Sequence, residues 1–261
     1  MITHHPHGLA ATETTDSLQR ALHESEVQCA HTQQEITGLL YAISHDLRAP
    51  LRAISGFSQA LQEHAATTLD ATGQHYLQRI AQAAQQLTTQ IDALLSLSRL
   101  SQADITWMEL DLGLLCHEVV AELNAHYPQP HPRITIATPM PIRGDARLLK
   151  QALRLLLDNA WKCTVNCADP HLEVGCMLQA AQPIFYVRDN GIGFDMSLSH
   201  KLFVPFQQLH ASSELRGQGL GLASVQRIIA RHGGRIWAEA QPGKGAQFYF
   251  CLPSHGSNDA T

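Results

Sequence analysis

ITGLLYAISHDLRAPLRAISGFSQAL, residues 36–61, decides the first half of the fold. Its apolar positions Ile36, Leu40, Ile43, Leu47, Leu51, Ile54, Phe57 and Leu61 recur at gaps of three and four. That is a heptad seam, which sets an apolar stripe along a helix lying beside another helix. Toward the N-terminus the seam thins through Leu18, Leu22 and Cys29. Residues 18–35 therefore read as a coiled-coil lead-in and residues 1–17 as a disordered leader. A break follows near Thr67–Gly73, with Asp70 or Thr72 as a cap. A second seam, Leu77, Ile80, Ala84, Leu87, Ile91, Leu94 and Ser98, predicts a helix from 74 to 102. Two long helices with a short connection form an antiparallel hairpin over residues 36–102. One hairpin encloses little core, so two hairpins from two chains are expected to bury their stripes together in a homodimeric four-helix bundle.

After Gln102 the pattern changes. Short strand-like runs, Trp107–Leu110, Arg133–Thr138, Leu172–Leu178, Pro183–Arg188, Arg235–Glu239 and Ala246–Leu252, alternate with helical segments. The helices fit Leu112–Asn124, Asp145–Cys163 and Gly219–His232, and Pro128, Pro130, Pro132, Pro139 and Pro141 mark loops between elements. Residues 103–252 thus predict an α/β sandwich, with helices on one face of a mixed sheet. The fold class is α+β, and residues 253–261 read as a disordered tail.

Composition excludes several functions. The 261 residues carry 18 Lys+Arg against 23 Asp+Glu, a net charge of −5. No basic block tracks a phosphate backbone, so nucleic acid is not an expected partner. No apolar run approaches the length of a membrane span, and the N-terminus lacks the basic-then-apolar pattern of a secretory signal. The six cysteines form no CxxC pair and have no matched histidines, which argues against zinc and for reduced thiols in a cytoplasmic protein. Sixteen histidines against four lysines is the odd feature.

Two glycine clusters carry the chemistry. Asp189-Asn190-Gly191-Ile192-Gly193 follows a strand, and Gly217-Gln218-Gly219-Leu220-Gly221-Leu222 opens a helix. Each alone reads as a turn. Together they place backbone N–H groups and a helix dipole where an anion can approach. Neither the dinucleotide spacing G-x-G-x-x-G nor a P-loop is present. Asp189 is suited to accept from an exocyclic amine such as that of adenine. Asn159 and Lys162 share a helix face; an amide oxygen can ligate Mg²⁺ and an ammonium can meet phosphate.

Five ordered motifs then resemble the sensor histidine kinases of two-component systems, over roughly residues 36–252. They are Ser44-His45-Asp46-Leu47-Arg48-Ala49-Pro50-Leu51, Leu157-Asp158-Asn159-Ala160-Trp161-Lys162, Asp189 to Gly193, Leu202-Phe203-Val204-Pro205-Phe206, and Gly217 to Leu222. Phe206 to His210 and His232 to Trp237 look most like phytochrome-type kinases. The resemblance implies a dimerising phosphoacceptor hairpin and an ATP-binding domain of the Bergerat type. It makes His45 the nucleophile for the γ-phosphoryl group, with Asp46 holding its other ring nitrogen. Arg48 and Arg52, on the same helical face, are the phosphoryl stabilisers, and Pro50 is expected to kink the helix. Asn159 is implied as the Mg²⁺ ligand, Lys162 as a phosphate contact, and Asp189 as the adenine carboxylate. Gly191, Gly193, Gly217, Gly219, Leu220 and Gly221 border a nucleotide-ordered lid over about Phe194–Arg216.

The implied partners are a second copy, a response-regulator receiver domain and a separate sensor protein, since residues before Ile36 offer only a thin coiled coil. Three positions depart from the family. Leu155 stands where a second Asn is usual, Gln208 where Arg is frequent, and Cys163 where an aromatic is usual. They support an alternative, a degenerate kinase acting as a nucleotide-binding dimeric scaffold.

Overall fold

A computed structural model of the chain describes residues 7–64, 68–100, 104–180, 182–207 and 219–253. It contains two compact units, Met1–Leu95 and Ser96–Thr261. The division falls inside the second long helix rather than at Gln102.

The first unit is helical. Helix α1 spans His7–His64 and α2 spans Ala71–Leu100. α1 thus starts within the expected leader, and residues 9–22 contain no Gly or Pro to interrupt it. Residues 1–6, and the expected tail beyond Pro253, lie outside the described residues. Asp70 caps α2: the Gly73 N–H donates to its carboxylate at 2.8 Å and the Gln74 N–H to its carbonyl at 3.0 Å. α1 stays helical through Pro50. The ring removes an N–H, so the Asp46 carbonyl, four residues back, lacks its helical donor.

The expected seam divides into two stripes. Among the described residues the buried positions on α1 are Ser44, Leu51 and Ser58, repeating every seven residues, and those on α2 are Leu77, Ala84, Leu95, Ser98 and Leu100. Ile36, Leu39, Ile43, Leu47, Ile54, Phe57 and Leu61 lie instead 44–73 % exposed. Heptad spacing marks an apolar helix surface but not which of two adjacent faces meets which neighbour. Here Ser44, Ser58 and Ala84 take buried positions beside Leu51 and Leu77, while much of the apolar bulk of α1 is left outside. Among the described residues no helix is long and apolar enough to cross a membrane.

The second unit runs β1 (Met108–Asp111), α3 (Leu112–His126), β2 (Arg133–Ile136), β3 (Pro141–Gly144), α4 (Ala146–Thr164), β4 (His171–Gln179), β5 (Gln182–Asp189), a 3-10 turn (Met196–Lys201), α5 (Gly221–Arg231), β6 (Arg235–Ala240) and β7 (Ala246–Cys251). Five strands form one mixed sheet in the order β2-β4-β5-β7-β6, with β2 and β4 parallel and the other pairs antiparallel. β1 and β3 make a separate antiparallel pair, Met108 facing Gly144 and Asp111 facing Pro141. The loop expected around Pro139 and Pro141 is therefore partly strand. Pro141 is tolerated because it is the first residue of a short strand in a two-stranded pair.

One core joins the helices to the sheet. Leu112, Cys116, Val119 and Leu123 come from α3, and Leu149, Leu153, Leu156 and Leu157 from α4. Val225, Ile228 and Ile229 come from α5, and Leu172, Val174, Phe185, Val187, Phe248 and Phe250 from the sheet. Burying each side chain of this size contributes roughly 1.5–3 kcal/mol. Helices α3 and α4 open on aspartate caps. Asp111 accepts the Gly113 N–H at 2.8 Å, and Asp145 accepts the Leu148 N–H at 3.0 Å.

His232 pins the end of α5 to the start of α4. It is 1 % exposed. Its Nε2 accepts the Asp145 N–H at 3.0 Å, and its Nδ1 lies 2.8 Å from the Ile228 carbonyl. A ring nitrogen that accepts from an amide carries no proton, so His232 is neutral with its proton on Nδ1. Trp107 closes the other side edge-on, centroids 5.4 Å apart. His232→Phe keeps the ring but strands the buried Asp145 N–H. A loss of about 1–3 kcal/mol is expected in denaturant unfolding; an unchanged midpoint would show that the pin is dispensable.

Candidate functional site

Helix α4 is the spine of the site. Leu155, Asn159 and Cys163 recur every four residues and so share one face, about 12 Å from first to last. At one end stands the start of α5, where a Cβ on Gly221 would lie 3.7 Å from Leu155 Cδ2. At the other stands the Asp189–Gly193 turn, where the Ile192 N–H donates to the Cys163 carbonyl at 3.2 Å. The half-buried Asn159 lies between them, and its amide has no protein partner among the described residues.

The turn is boxed in from its other side by the β6–β7 hairpin. The Gly243 N–H donates to the Ile192 carbonyl at 2.7 Å. Gly193, with φ +59, and Gly245, with φ +88, would bring a Cβ within 2.1 Å of the Gln241 oxygen and 2.0 Å of the Asp189 oxygen. Backbone packs on backbone here, and only glycine fits both the space and the dihedrals. Gly243 and Gly245 were not among the expected site residues. Their sequence, Pro242-Gly243-Lys244-Gly245, reads as a hairpin turn; only the register pairing Ala246 with Asp189 brings it to the site.

Asp189 ends β5 and is 3 % exposed. Its Oδ1 accepts the Gly191 N–H at 2.8 Å and the Ala246 N–H at 3.3 Å, while Oδ2 has no protein donor among the described residues. Burial pushes the carboxyl up to about 6, against the downward pull of those two amides. The neighbouring Cys163 thiol is pushed up to about 12, mainly by burial and then by the Asp189 charge. It is a poor nucleophile in consequence.

α5 opens at Leu220 with no side-chain cap. Its first-turn N–H groups are therefore left for an anion. Just before it, Gly219 has φ +68, and its carbonyl accepts the Phe206 N–H at 2.8 Å. Gly217, Gln208 and Arg216 lie outside the described residues. The first part of the expected lid is packed rather than loose. Phe194 is buried beside Phe248, Leu202 is buried, and Phe203 packs on the core, whereas Phe206 is exposed. Lys162, on the flank of α4, donates to Asp158 Oδ2 at 2.5 Å.

His45 projects from α1 in the helical unit. Its Nδ1 lies 3.2 Å from Asp46 Oδ1, and the two side chains are 72 % and 84 % exposed. With the proton on Nδ1, Asp46 accepts it and the Nε2 lone pair faces outward. Arg48 is occupied elsewhere: its Nη2 donates to Asp92 on α2 at 2.7 Å. Arg52 is exposed and has no protein partner among the described residues. Of the two arginines expected at a phosphoryl group, one is thus tied into the hairpin.

Comparison with known proteins also matches the chain in two parts. Residues 35–103 match the His Kinase A (phospho-acceptor) domain, and residues 144–256 match the histidine kinase-, DNA gyrase B- and HSP90-like ATPase family. Cyanobacterial phytochrome B of Nostoc sp. is 32% identical over 240 residues, covering 90% of this chain and 32% of that protein. The methanogenesis regulatory histidine kinase FilI of Methanothrix harundinacea is 34% identical over 238 residues, covering 91% of this chain and 26% of that one. Full-length ShkA in complex with AMPPNP superposes with a TM-score of 0.57 at 27% identity, over 82% of this chain and 45% of that structure. The chain spans between a quarter and a third of the length of these curated relatives. It carries the phosphoacceptor and ATPase domains in their order, with His45 in the first and the Asp189 turn in the second, and it belongs to the sensor histidine kinases.

Proposed function

We propose that the chain is an ATP-dependent protein histidine kinase that phosphorylates His45 and passes the group to an aspartate of a response-regulator receiver domain. The observation that carries this reading is the α4 face. It joins a buried carboxylate with an open oxygen at one end to an uncapped helix N-terminus at the other. Adenine suits the first end, its exocyclic amine donating to Asp189 Oδ2. Phosphates suit the second, facing the N–H groups of Leu220, Gly221 and Leu222, with Gly191, Gly193 and Gly219 shaping the walls. Asn159 would hold Mg²⁺, which when bound neutralises phosphate charge. Lys162 contributes a further cation.

Transfer then needs an exposed lone pair and little else. Nε2 of His45 forms the bond to the γ-phosphorus as the bond to the β–γ bridging oxygen breaks, and ADP leaves. The positive charge that develops on the ring is met by Asp46, which takes up the Nδ1 proton. Among the described residues Arg52 is the free cation on that face; Arg48 joins it only by releasing Asp92. The exposed stripe of Ile36, Ile43, Leu47, Ile54 and Leu61 supports a homodimer of hairpins. A sensor partner or segment and a cytoplasmic location complete the reading.

A nucleotide-binding scaffold is the second reading, favoured by Leu155 in place of a metal or phosphate ligand. Incubation with γ-labelled ATP and Mg²⁺ decides between them. Acid-labile, base-stable label that disappears in His45→Gln is expected; nucleotide binding with no label in either protein supports the scaffold.

Asp189 adds a pH signature. The folded carboxyl titrates above the ordinary value, so its protonated form favours the fold, and that stability is lost as pH rises through about 6. Asp189→Asn is expected to raise the melting temperature at pH 7 and to flatten the fall between pH 4 and 6. Nucleotide binding follows the opposite trend, weakening as pH drops through about 6, and should fall roughly 10- to 100-fold in the same variant. A variant that binds ATP normally contradicts the adenine assignment.

A further inference from the structure

Lys162 does not stand free beside Asn159. Its ammonium donates to Asp158 Oδ2 at 2.5 Å, one helical turn back on α4. Asp158 is itself shared, because its Oδ1 accepts the Tyr127 hydroxyl at 2.7 Å. Tyr127 comes from a different element. Its N–H caps α3 by donating to the Leu123 carbonyl, and its ring stacks on Trp161 with centroids 5.6 Å apart and planes 18° apart. His131 presses edge-on against the same Trp161 and lies 3.0 Å from the Tyr127 carbonyl through Nε2. The phenol is therefore held rigidly at the carboxylate, and the carboxylate reaches the one lysine on this helix flank.

We propose that Asp158, braced by Tyr127, is a positioning residue that sets how readily Lys162 can leave α4 for a nucleotide phosphate. The proposal rests on the nucleotide-site reading above and adds a competitor to it. A phosphate can recruit the ammonium only by drawing it from Asp158. A carboxylate that also accepts from a phenol holds an ammonium less firmly than one that does not, since part of its charge is already solvated by the hydroxyl. Tyr127 thus weakens the tether and Asp158 supplies it. The Lys162 and Asp158 side chains are 38 % and 28 % exposed. For a pair this open to water the exchange is modest, corresponding to about a two- to fivefold change in affinity.

The two tether residues should act in opposite directions, which loss of structure alone does not produce. Asp158→Asn releases Lys162, so MgATP binding measured by calorimetry tightens about two- to fivefold. Tyr127→Phe leaves Asp158 to Lys162 alone, so MgATP binding weakens by a similar factor while the melting temperature reports packing separately. In a Lys162→Gln background the Asp158→Asn effect should vanish, as a double-mutant cycle requires. Adenosine, which has no phosphate, should bind all variants alike. The proposal is overturned if Asp158→Asn weakens MgATP binding, or if its effect persists unchanged without Lys162. It is also overturned if both substitutions shift affinity the same way. Absence of MgATP binding by the unmodified chain is a separate outcome; it removes the nucleotide-site reading itself and this proposal with it.

Discussion

A carboxylate buried without a counter-cation is costly, and Asp189 is one. Among the described residues only two backbone amides offset its charge, those of Gly191 and Ala246. Keeping both donors in place constrains the surroundings. β5 must end at Asp189, β7 must begin opposite it, and the chain must reverse at once through Gly191 and Gly193. The hairpin holding Gly243 and Gly245 must then press against that reversal with backbone alone. The rest of the site is arranged around this constraint. α4 supplies a carbonyl at Cys163 for the turn, an amide at Asn159, and a contact with α5 at Leu155. A site that destabilises its own fold in this way is expected where function depends on the group that carries the cost.

The helical unit works by a different economy. Several of its buried positions hold small residues, Ser44, Ser58 and Ala84, while Ile36, Ile43, Leu47, Ile54, Phe57 and Leu61 are exposed. The proposed homodimer would cover those exposed residues, and in it pairing and stability are coupled. His45 needs no burial for its role. Its exposed ring is oriented by a neighbouring carboxylate, and Pro50 leaves the Asp46 carbonyl free of its helical partner one residue along. On the function proposed above the two units divide the chemistry: one presents a nucleophile with almost no enclosure, and the other encloses a base and a phosphate chain.

Much of this was legible in residue order. The hairpin, the cap at Asp70, six of the seven strands and all three helices of the second unit follow from periodicity and turn chemistry. β3 was not legible, because two prolines outweigh a four-residue strand signal. The split of the α1 seam was not legible either, since spacing by seven cannot distinguish two neighbouring faces. At the site, Asp189, Asn159 and the glycines of the first turn were read from their motifs. Gly245 was not, because its close approach to Asp189 is created by sheet register across more than fifty residues, and the Cys163 carbonyl was not, because packing of α4 on the turn brings it to the Ile192 N–H. Arg48 shows the converse: its spacing from His45 suggests a phosphoryl contact, and only the hairpin reveals Asp92 as its partner. The Tyr127–Asp158–Lys162 chain is likewise a product of packing, joining α3 to α4 at positions that no local pattern pairs.

The central claim is that the α4 face, the Asp189 turn and the start of α5 form a single nucleotide site. Backbone amide resonances tracked during an ATP titration of the isotopically labelled chain test it most directly. The account predicts concerted, saturable shifts at Gly191, Gly193, Leu220 and Gly221 and at the Asn159 side-chain amide, with one affinity for all. Shifts confined to one end of α4, or clustered elsewhere in the chain, would contradict it.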